Sequence, residues 1–294
     1  MTTKYTISKL YCKMYNAQVT RKNKGSIMIL IDRSGSMEEE VFFEGHTTTK
    51  AQALCDSVNT LLTEIINRSY RDRYVGDYFD VAIIGYSGES AESLIGSGFR
   101  RIVDIDTMDT PVRIIRRTRK LPTGQQFDTL IERREWVTPY AKGRTPMGEA
   151  LKKARRMCAA WCRKHPDSFP PIVINITDGE ATDASPDQIR TLADKLRSVG
   201  TNDGNLLFVN IHLACHYDSP SVSVRFPSES TQLPTNRHSR LLFEISSTLP
   251  ALYNNAIISM EGDTPPFRAI CYNSPVSELV SLLAIGSLGI EQLI

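Results

Sequence analysis

The chain has 294 residues, 41% of them apolar and 23% charged, with 17 glycines and 15 prolines, a balance that excludes disordered, collagenous and low-complexity classes. Its 35 Lys and Arg against 33 Asp and Glu leave a formal charge of +2, so bulk electrostatics announces neither a nucleic-acid nor a membrane-surface binder. The length accommodates two average domains or one elaborated α/β domain, and a single domain over 1–294 with its core at about 25–290 is expected.

The opening Met-Thr-Thr-Lys-Tyr-Thr lacks the apolar stretch and cleavage site of a secretory signal. At the other end, the apolar run from Val280 to Ile290 is broken by Ser281, Gly286, Ser287 and Gly289, far short of the roughly 20 residues that span a bilayer. A cytoplasmic protein without a membrane segment is therefore expected. Cys12, Cys55, Cys158, Cys162, Cys215 and Cys271 are scattered and form no CxxC pair, which points to reduced thiols rather than a disulfide framework.

After a polar lead-in ending at Gly25, the segment Ser26 to Ile31 is almost continuously apolar and stops at Asp32, as a strand buried on both faces does. Ala51, Leu54, Cys55, Val58, Leu61, Leu62, Ile65 and Ile66 then recur at helical spacing, and Val81 to Tyr86 reads as a second buried strand. About 87–144 is a long insertion with Gly-rich and β-branched pieces and a basic cluster of Arg113, Arg116, Arg117, Arg119 and Lys120. A helix carrying Met147, Ala150, Leu151, Ala154, Cys158 and Trp161 precedes a third strand, Ile172 to Thr177. Ser185-Pro186-Asp187-Gln188 has the form of a helix start with a capping box, and Gly200 ends that helix. Leu206 to Leu213 is the fourth strand, about 216–240 an irregular loop, Phe267 to Tyr272 a further strand, and Ser274-Pro275 opens a last helix. The alternation implies a doubly wound α/β fold, a mostly parallel central sheet flanked by helices on both faces.

Chemistry concentrates where the buried strands turn outward. Asp32-Arg33-Ser34-Gly35-Ser36 follows the first strand with a carboxylate and two hydroxyls at alternate positions, the oxygen ligands that hard cations take. Thr145 stands ahead of a helix in Gly143-Arg144-Thr145-Pro146-Met147-Gly148, and Asp178 ends the third strand in Thr177-Asp178-Gly179-Glu180. In a parallel sheet all three loops leave from one edge. The plainer reading makes Ser34, Ser36 and Thr145 helix caps and Asp178 the start of a turn, but it leaves the convergence unexplained.

Asp-x-Ser-x-Ser, a later Thr and a later Asp-Gly resemble the metal-ion-dependent adhesion site of von Willebrand factor A domains, whose fold is Rossmann-like. The resemblance implies Ser34, Ser36 and Thr145 as direct ligands of Mg²⁺, with Mn²⁺ or Ca²⁺ as alternatives, and Asp32 and Asp178 acting through water or hydrogen bonds. It further implies a protein partner that offers a Glu or Asp side chain to the metal, and no enzymatic activity. Gly143 to Leu151 and Ile176 to Asp183 are similar to bacterial cytoplasmic domains of the tellurite-resistance TerY-like type, which associate with kinases and phosphatases. That similarity implies a scaffold or adaptor in a stress, signalling or defence system.

Rival readings rest on particular residues. Asp32 and the acidic run Asp178 to Asp183 imitate a metal-dependent phosphatase of haloacid dehalogenase type, yet Ser34 stands where that chemistry needs a general acid. Arg113, Arg116, Arg117, Arg119 and Lys120 form a candidate surface for a partner or for nucleic acid, although such runs are usually solvated faces. His216 is a candidate rim residue. His212 with Cys215 and His216, and Cys158 with Cys162 and His165, imitate soft-metal sites without a complete tetrahedral ligand set.

Overall fold

A computed structural model describes residues 15–43, 46–120, 126–213 and 223–273. The first half contains β1 (Gly25–Asp32), the hairpin β2 (Glu40–Phe43) and β3 (His46–Thr49), α1 (Lys50–Ser69), and the short pair β4 (Tyr70–Arg71) and β5 (Tyr74–Val75). Next come β6 (Phe79–Ser87), β7 (Ser90–Ser93), β8 (Arg100–Arg101), α2 (Ile102–Asp106), and the hairpin β9 (Val112–Lys120) and β10 (Gln126–Arg134). The second half has α3 (Met147–Lys164), β11 (Ile172–Thr177), α4 (Pro186–Arg197), β12 (Leu207–His212), β13 (Val224–Arg225), α5 (Arg237–Ile245), α6 (Asn254–Glu261) and β14 (Ile270–Tyr272).

One sheet runs in the order β13-β14-β12-β11-β1-β6-β7, with β8 also paired to β6. From β14 through β6 the neighbours are parallel, and β7, β8 and β13 are antiparallel additions at the edges. The fold class expected from the alternation is therefore present. All eight residues of β1 are buried, because helices cover both faces of the sheet. Ile27, Ile29 and Ile31 share a core with Leu54, Val58, Leu61 and Leu62 of α1, whereas Met28 and Leu30 share one with Ala150, Leu151 and Ala154 of α3 and Ile189 of α4.

The chain passes from β1 through α1 to β6 on one side, then returns through α3 to β11 on the other. The carboxyl end of β1 is thus a topological switch point, where diverging crossovers leave a crevice. Ser185 and Gln188 form the expected capping box of α4, with Pro186 in its first turn. No helix among the described residues is long and apolar enough to cross a membrane.

A buried polar chain crosses the sheet just below that crevice. Tyr86 donates its hydroxyl to Asn175 Oδ1 at 2.9 Å, Asn175 Nδ2 donates to Asn210 Oδ1 at 3.0 Å, and Asn210 Nδ2 donates to Ser246 Oγ at 2.9 Å. Ser246 in turn donates to the Leu242 carbonyl of α5 at 2.6 Å. All four side chains are fully buried, so each polar atom depends on its neighbour in the chain.

Two segments hold regular elements that the sequence reading did not name. The 87–144 insertion contains the regular β9–β10 hairpin, in which Val112 faces Arg134 and Lys120 faces Gln126. The hairpin is fixed to α1: Arg133 lies 3.0 Å from Asp56, Arg113 bonds the same carboxylate, and Arg113 Nε donates to Glu135 at 2.6 Å. Asn59 completes the attachment, donating to the Val137 carbonyl at 2.9 Å and accepting from the Val137 amide at 3.1 Å. Within 216–240, the described part holds β13 and the beginning of α5 rather than loop alone, because β13 finds a partner in β14. The helix expected from Ser274 lies outside the described residues.

Candidate metal centre

The centre is assembled from three loops at the carboxyl edge of the sheet. Asp32, the last residue of β1, is buried, and its two oxygens are both engaged: Oδ1 accepts the Ser34 amide at 2.9 Å and Oδ2 accepts the Thr177 hydroxyl at 2.6 Å. Burial pushes its carboxyl up to about 6, against the hydrogen bonds from Ser34 and Thr177 that favour the charged form. Ser34 Oγ and Ser36 Oγ stand 3.2 Å apart. Ser36 donates its hydroxyl to Asp178 Oδ1 at 2.8 Å, so the first and third loops meet directly.

The second loop is laced to the first through backbone groups. Gly35 N donates to Gly143 O, Lys142 N to Arg33 O, and Gly88 N to Arg144 O, each at 3.0 Å. Gly143 has φ +78°, and a Cβ there would approach the Gly88 backbone to 3.0 Å, so both conformation and closeness favour glycine. Thr145 is buried, and its peptide groups are held by Thr182: Thr145 N donates to Thr182 Oγ1 at 3.0 Å, and Thr182 N donates to Thr145 O at 2.9 Å. Arg33 lies over the Tyr140 ring, 4.4 Å from its centroid, at the end of the same loop.

Asp32, Ser34, Ser36 and Asp178 are thus joined by hydrogen bonds, and Thr145 sits on the loop bonded to theirs. Of the basic candidates, Arg113 is the one whose side chain is described. Arg113 is engaged with Asp56 and Glu135 on the α1 side of the hairpin. Arg116, Arg117, Arg119 and Lys120 lie along β9, opposite Leu130, Thr129, Phe127 and Gln126, but their side chains are outside the described set, as is the whole of His216.

The soft-metal imitations take ordinary core roles where they are described. His212 is buried with Nδ1 3.0 Å from Ser239 Oγ and its ring edge-on to Tyr272, and burial pulls it down to about 4. His165 stacks on Trp161 at 4.5 Å, while Cys158 and Cys162 are buried thiols outside any disulfide. Among the described residues no three His, Cys, Asp or Glu side chains group as a metal site. The acidic run after Asp178 is also engaged: Glu180 pairs with Arg237 at 2.8 Å, and Asp183 accepts the amides of Gly148 and Glu149 at 3.0 and 2.9 Å. Asp183 therefore caps the amino end of α3.

Four contributors escaped the sequence reading: Lys50, Glu39, Thr177 and Asp183. Lys50 Nζ lies 2.6 Å from Asp178 Oδ2 and 2.8 Å from Glu39 Oε2. The available signal was a lysine opening a long helix that has no acidic residue in its first turn, against the helix dipole. Thr177 closes an apolar strand with a hydroxyl, a weaker signal, and the capping role of Asp183 depends on a helix over 30 residues earlier in the chain.

The donor set suits a hard divalent cation. It is made of hydroxyl and carboxylate oxygens without sulfur or imidazole, and the two serine oxygens already stand at the separation of neighbouring ligands. Asp178 already attracts one cation, the ammonium of Lys50.

No protein-family model matches the sequence, and no curated protein matches it. Solved structures do match in fold. Proximal thread matrix protein 1 from the mussel byssus is 16% identical with a TM-score of 0.47, the match covering 90% of this chain and 48% of that one. The von Willebrand factor type A protein from Catenulispora acidiphila is 13% identical with a TM-score of 0.45, covering 90% of this chain and 42% of that one. The von Willebrand factor domain of the type V pili tip protein Mfa5 from Porphyromonas gingivalis is 13% identical with a TM-score of 0.31, covering 54% and 39%. The chain thus spans less than half the length of these similar structures, and von Willebrand factor A domains are among its structural neighbours.

Proposed function

We propose that this chain is a von Willebrand factor A-type module that binds a divalent cation, Mg²⁺ first among them, and through it captures an acidic side chain of a protein partner. The observation that carries the reading is the hydrogen-bonded set Ser34, Ser36 and Asp178, with Asp32 anchored behind it, at the switch point of a parallel sheet. Ser34, Ser36 and Thr145 would hold the ion. Ser36 donates its hydroxyl hydrogen bond to Asp178, which leaves the serine oxygen lone pairs to face a cation, and Thr177 fixes Asp32 in the same manner. A bound Mg²⁺ supplies a hard positive centre that an incoming carboxylate oxygen completes.

The residues present support recognition rather than turnover. Ser34 cannot act as a general acid near neutral pH, and Glu180 and Asp183 are committed to Arg237 and to the end of α3. The test is calorimetric titration of MgCl₂ and MnCl₂ into protein stripped with EDTA, with Ser34→Ala alongside, followed by affinity capture from the native host's lysate in Mg²⁺ or EDTA. Metal binding lost in Ser34→Ala, and a partner retained only by wild type in Mg²⁺, are expected. Equal metal affinity in the two proteins would overturn the reading.

A further inference from the structure

We infer that Lys50 is a built-in counter-cation of the centre, competing with the divalent ion for Asp178 and so setting the metal affinity. The inference rests on the metal reading above. Lys50 occupies a place that a lysine should avoid twice over: its side chain is 4% exposed, and it opens the 20-residue α1, where the helix dipole is positive. A buried ammonium is tolerated only with close, hydrogen-bonded partners of opposite charge. Its partners are Asp178 Oδ2 at 2.6 Å, on a side chain 1% exposed, and Glu39 Oε2 at 2.8 Å, on a side chain 57% exposed.

The local fold builds this position deliberately. The β2–β3 hairpin pairs Glu40 with Thr49, so the residues just outside that pair, Glu39 and Lys50, are adjacent, and Lys50 N donates to Glu39 O at 2.9 Å. Thr49 caps α1 by accepting from Gln52 N at 3.2 Å. The ammonium is thereby held between a buried carboxylate of the centre and an exposed one outside it. Ser36 takes Oδ1 of Asp178 and Lys50 takes Oδ2, so both oxygens of that carboxylate are engaged before any metal arrives.

Two opposite consequences follow from charge alone. Without Lys50 the centre keeps both carboxylates and loses its internal cation, so a divalent ion binds more tightly. Without the charge of Glu39 the ammonium leans harder on Asp178, and the ion binds more weakly. The exposed partner thus gives Lys50 somewhere to go when a bound ion draws on the charge of Asp178.

The experiment titrates MgCl₂ into the full chain as wild type, Lys50→Met, Glu39→Gln and Ser34→Ala, and records the thermal midpoint of each in EDTA and in Mg²⁺. Lys50→Met should bind Mg²⁺ about tenfold more tightly, as expected when a unit charge a few ångströms away is removed from a partly screened centre. Its midpoint in EDTA should fall below wild type, and Mg²⁺ should raise it further than it raises wild type. Glu39→Gln should bind more weakly than wild type. Binding by Lys50→Met alone, with none by wild type, also supports the inference. Should Lys50→Met fail to fold, an unchanged affinity in Glu39→Gln overturns it. Wild type binding as tightly as Lys50→Met, with Ser34→Ala impaired, sinks the role of Lys50 and spares the metal reading. No binding by wild type or by Lys50→Met removes both.

Discussion

Replacing Asn175 with Ala tests whether the polar chain below the centre is a cooperative unit. Asn175 accepts from Tyr86 and donates to Asn210 in a part of the sheet that water does not reach. Its loss leaves the Tyr86 hydroxyl and Asn210 Oδ1 buried without these bonds, at roughly 1–3 kcal/mol each, so about 4 kcal/mol is expected for the pair. Tyr86→Phe withdraws only the donor to Asn175 Oδ1 and should cost about 2 kcal/mol by the same reasoning. In the double variant neither the stranded tyrosine hydroxyl nor the stranded Asn175 oxygen exists and only Asn210 Oδ1 is left, so the combined loss of about 2 kcal/mol should fall short of the sum by about 4 kcal/mol, well beyond the roughly 0.5 kcal/mol scatter of independent sites. Urea unfolding of the four proteins, read by far-ultraviolet circular dichroism, gives the cycle directly. Additive losses within about 0.5 kcal/mol would refute the reasoning and mean that each side chain finds another partner when its neighbour is removed.

Asp183→Ala should cost about 1 kcal/mol by removing the cap from α3, with Asp183→Ser restoring part of it and Mg²⁺ affinity staying near wild type. Unchanged urea stability together with lost Mg²⁺ binding would instead make Asp183 part of the centre. Asp56→Ala should release the β9–β10 hairpin, since both Arg113 and Arg133 lean on that carboxylate. Hydrogen exchange across 112–134 is expected to rise by an order of magnitude or more while β1 and β11 stay protected, and unaltered hairpin protection would show that Asn59 suffices as the anchor.

The buried strands were legible because a parallel sheet covered on both faces needs uninterrupted apolar runs, and Ser26 to Ile31 and Ile172 to Thr177 supply them. Helices α1, α3 and α4 were legible from their apolar stripes and, for α4, from the Ser185 and Gln188 signature. The β9–β10 hairpin was hidden by its own charge. Arg113 and Arg133 look like surface residues until Asp56 is seen to receive them from a helix far earlier in the chain. β13 has two residues and α5 nine, too short for periodicity to declare them. At the candidate centre, Asp32, Ser34, Ser36, Thr145 and Asp178 stood out because their loops converge on one edge of a parallel sheet, which capping alone leaves unexplained. Lys50 did not, because its role comes from partners that only the fold brings near it.

The separations along the chain have a consequence for assembly. Thr177 meets Asp32 across 145 positions, Ser36 meets Asp178 across 142, and Lys50 meets Asp178 across 128. β1 itself is flanked by β6 and β11, so it is enclosed only once both have been made and docked. Such long-range pairings are slow to form and are reached late, after the loops between them have been closed. A ribosome-bound or truncated chain ending before β11 therefore has the Asp-x-Ser-x-Ser loop without Thr177 or Asp178 to organise it. The hydrogen-bonded set around Asp32 and Asp178 is a property of the finished sheet, and an immature chain lacks the contacts that organise it.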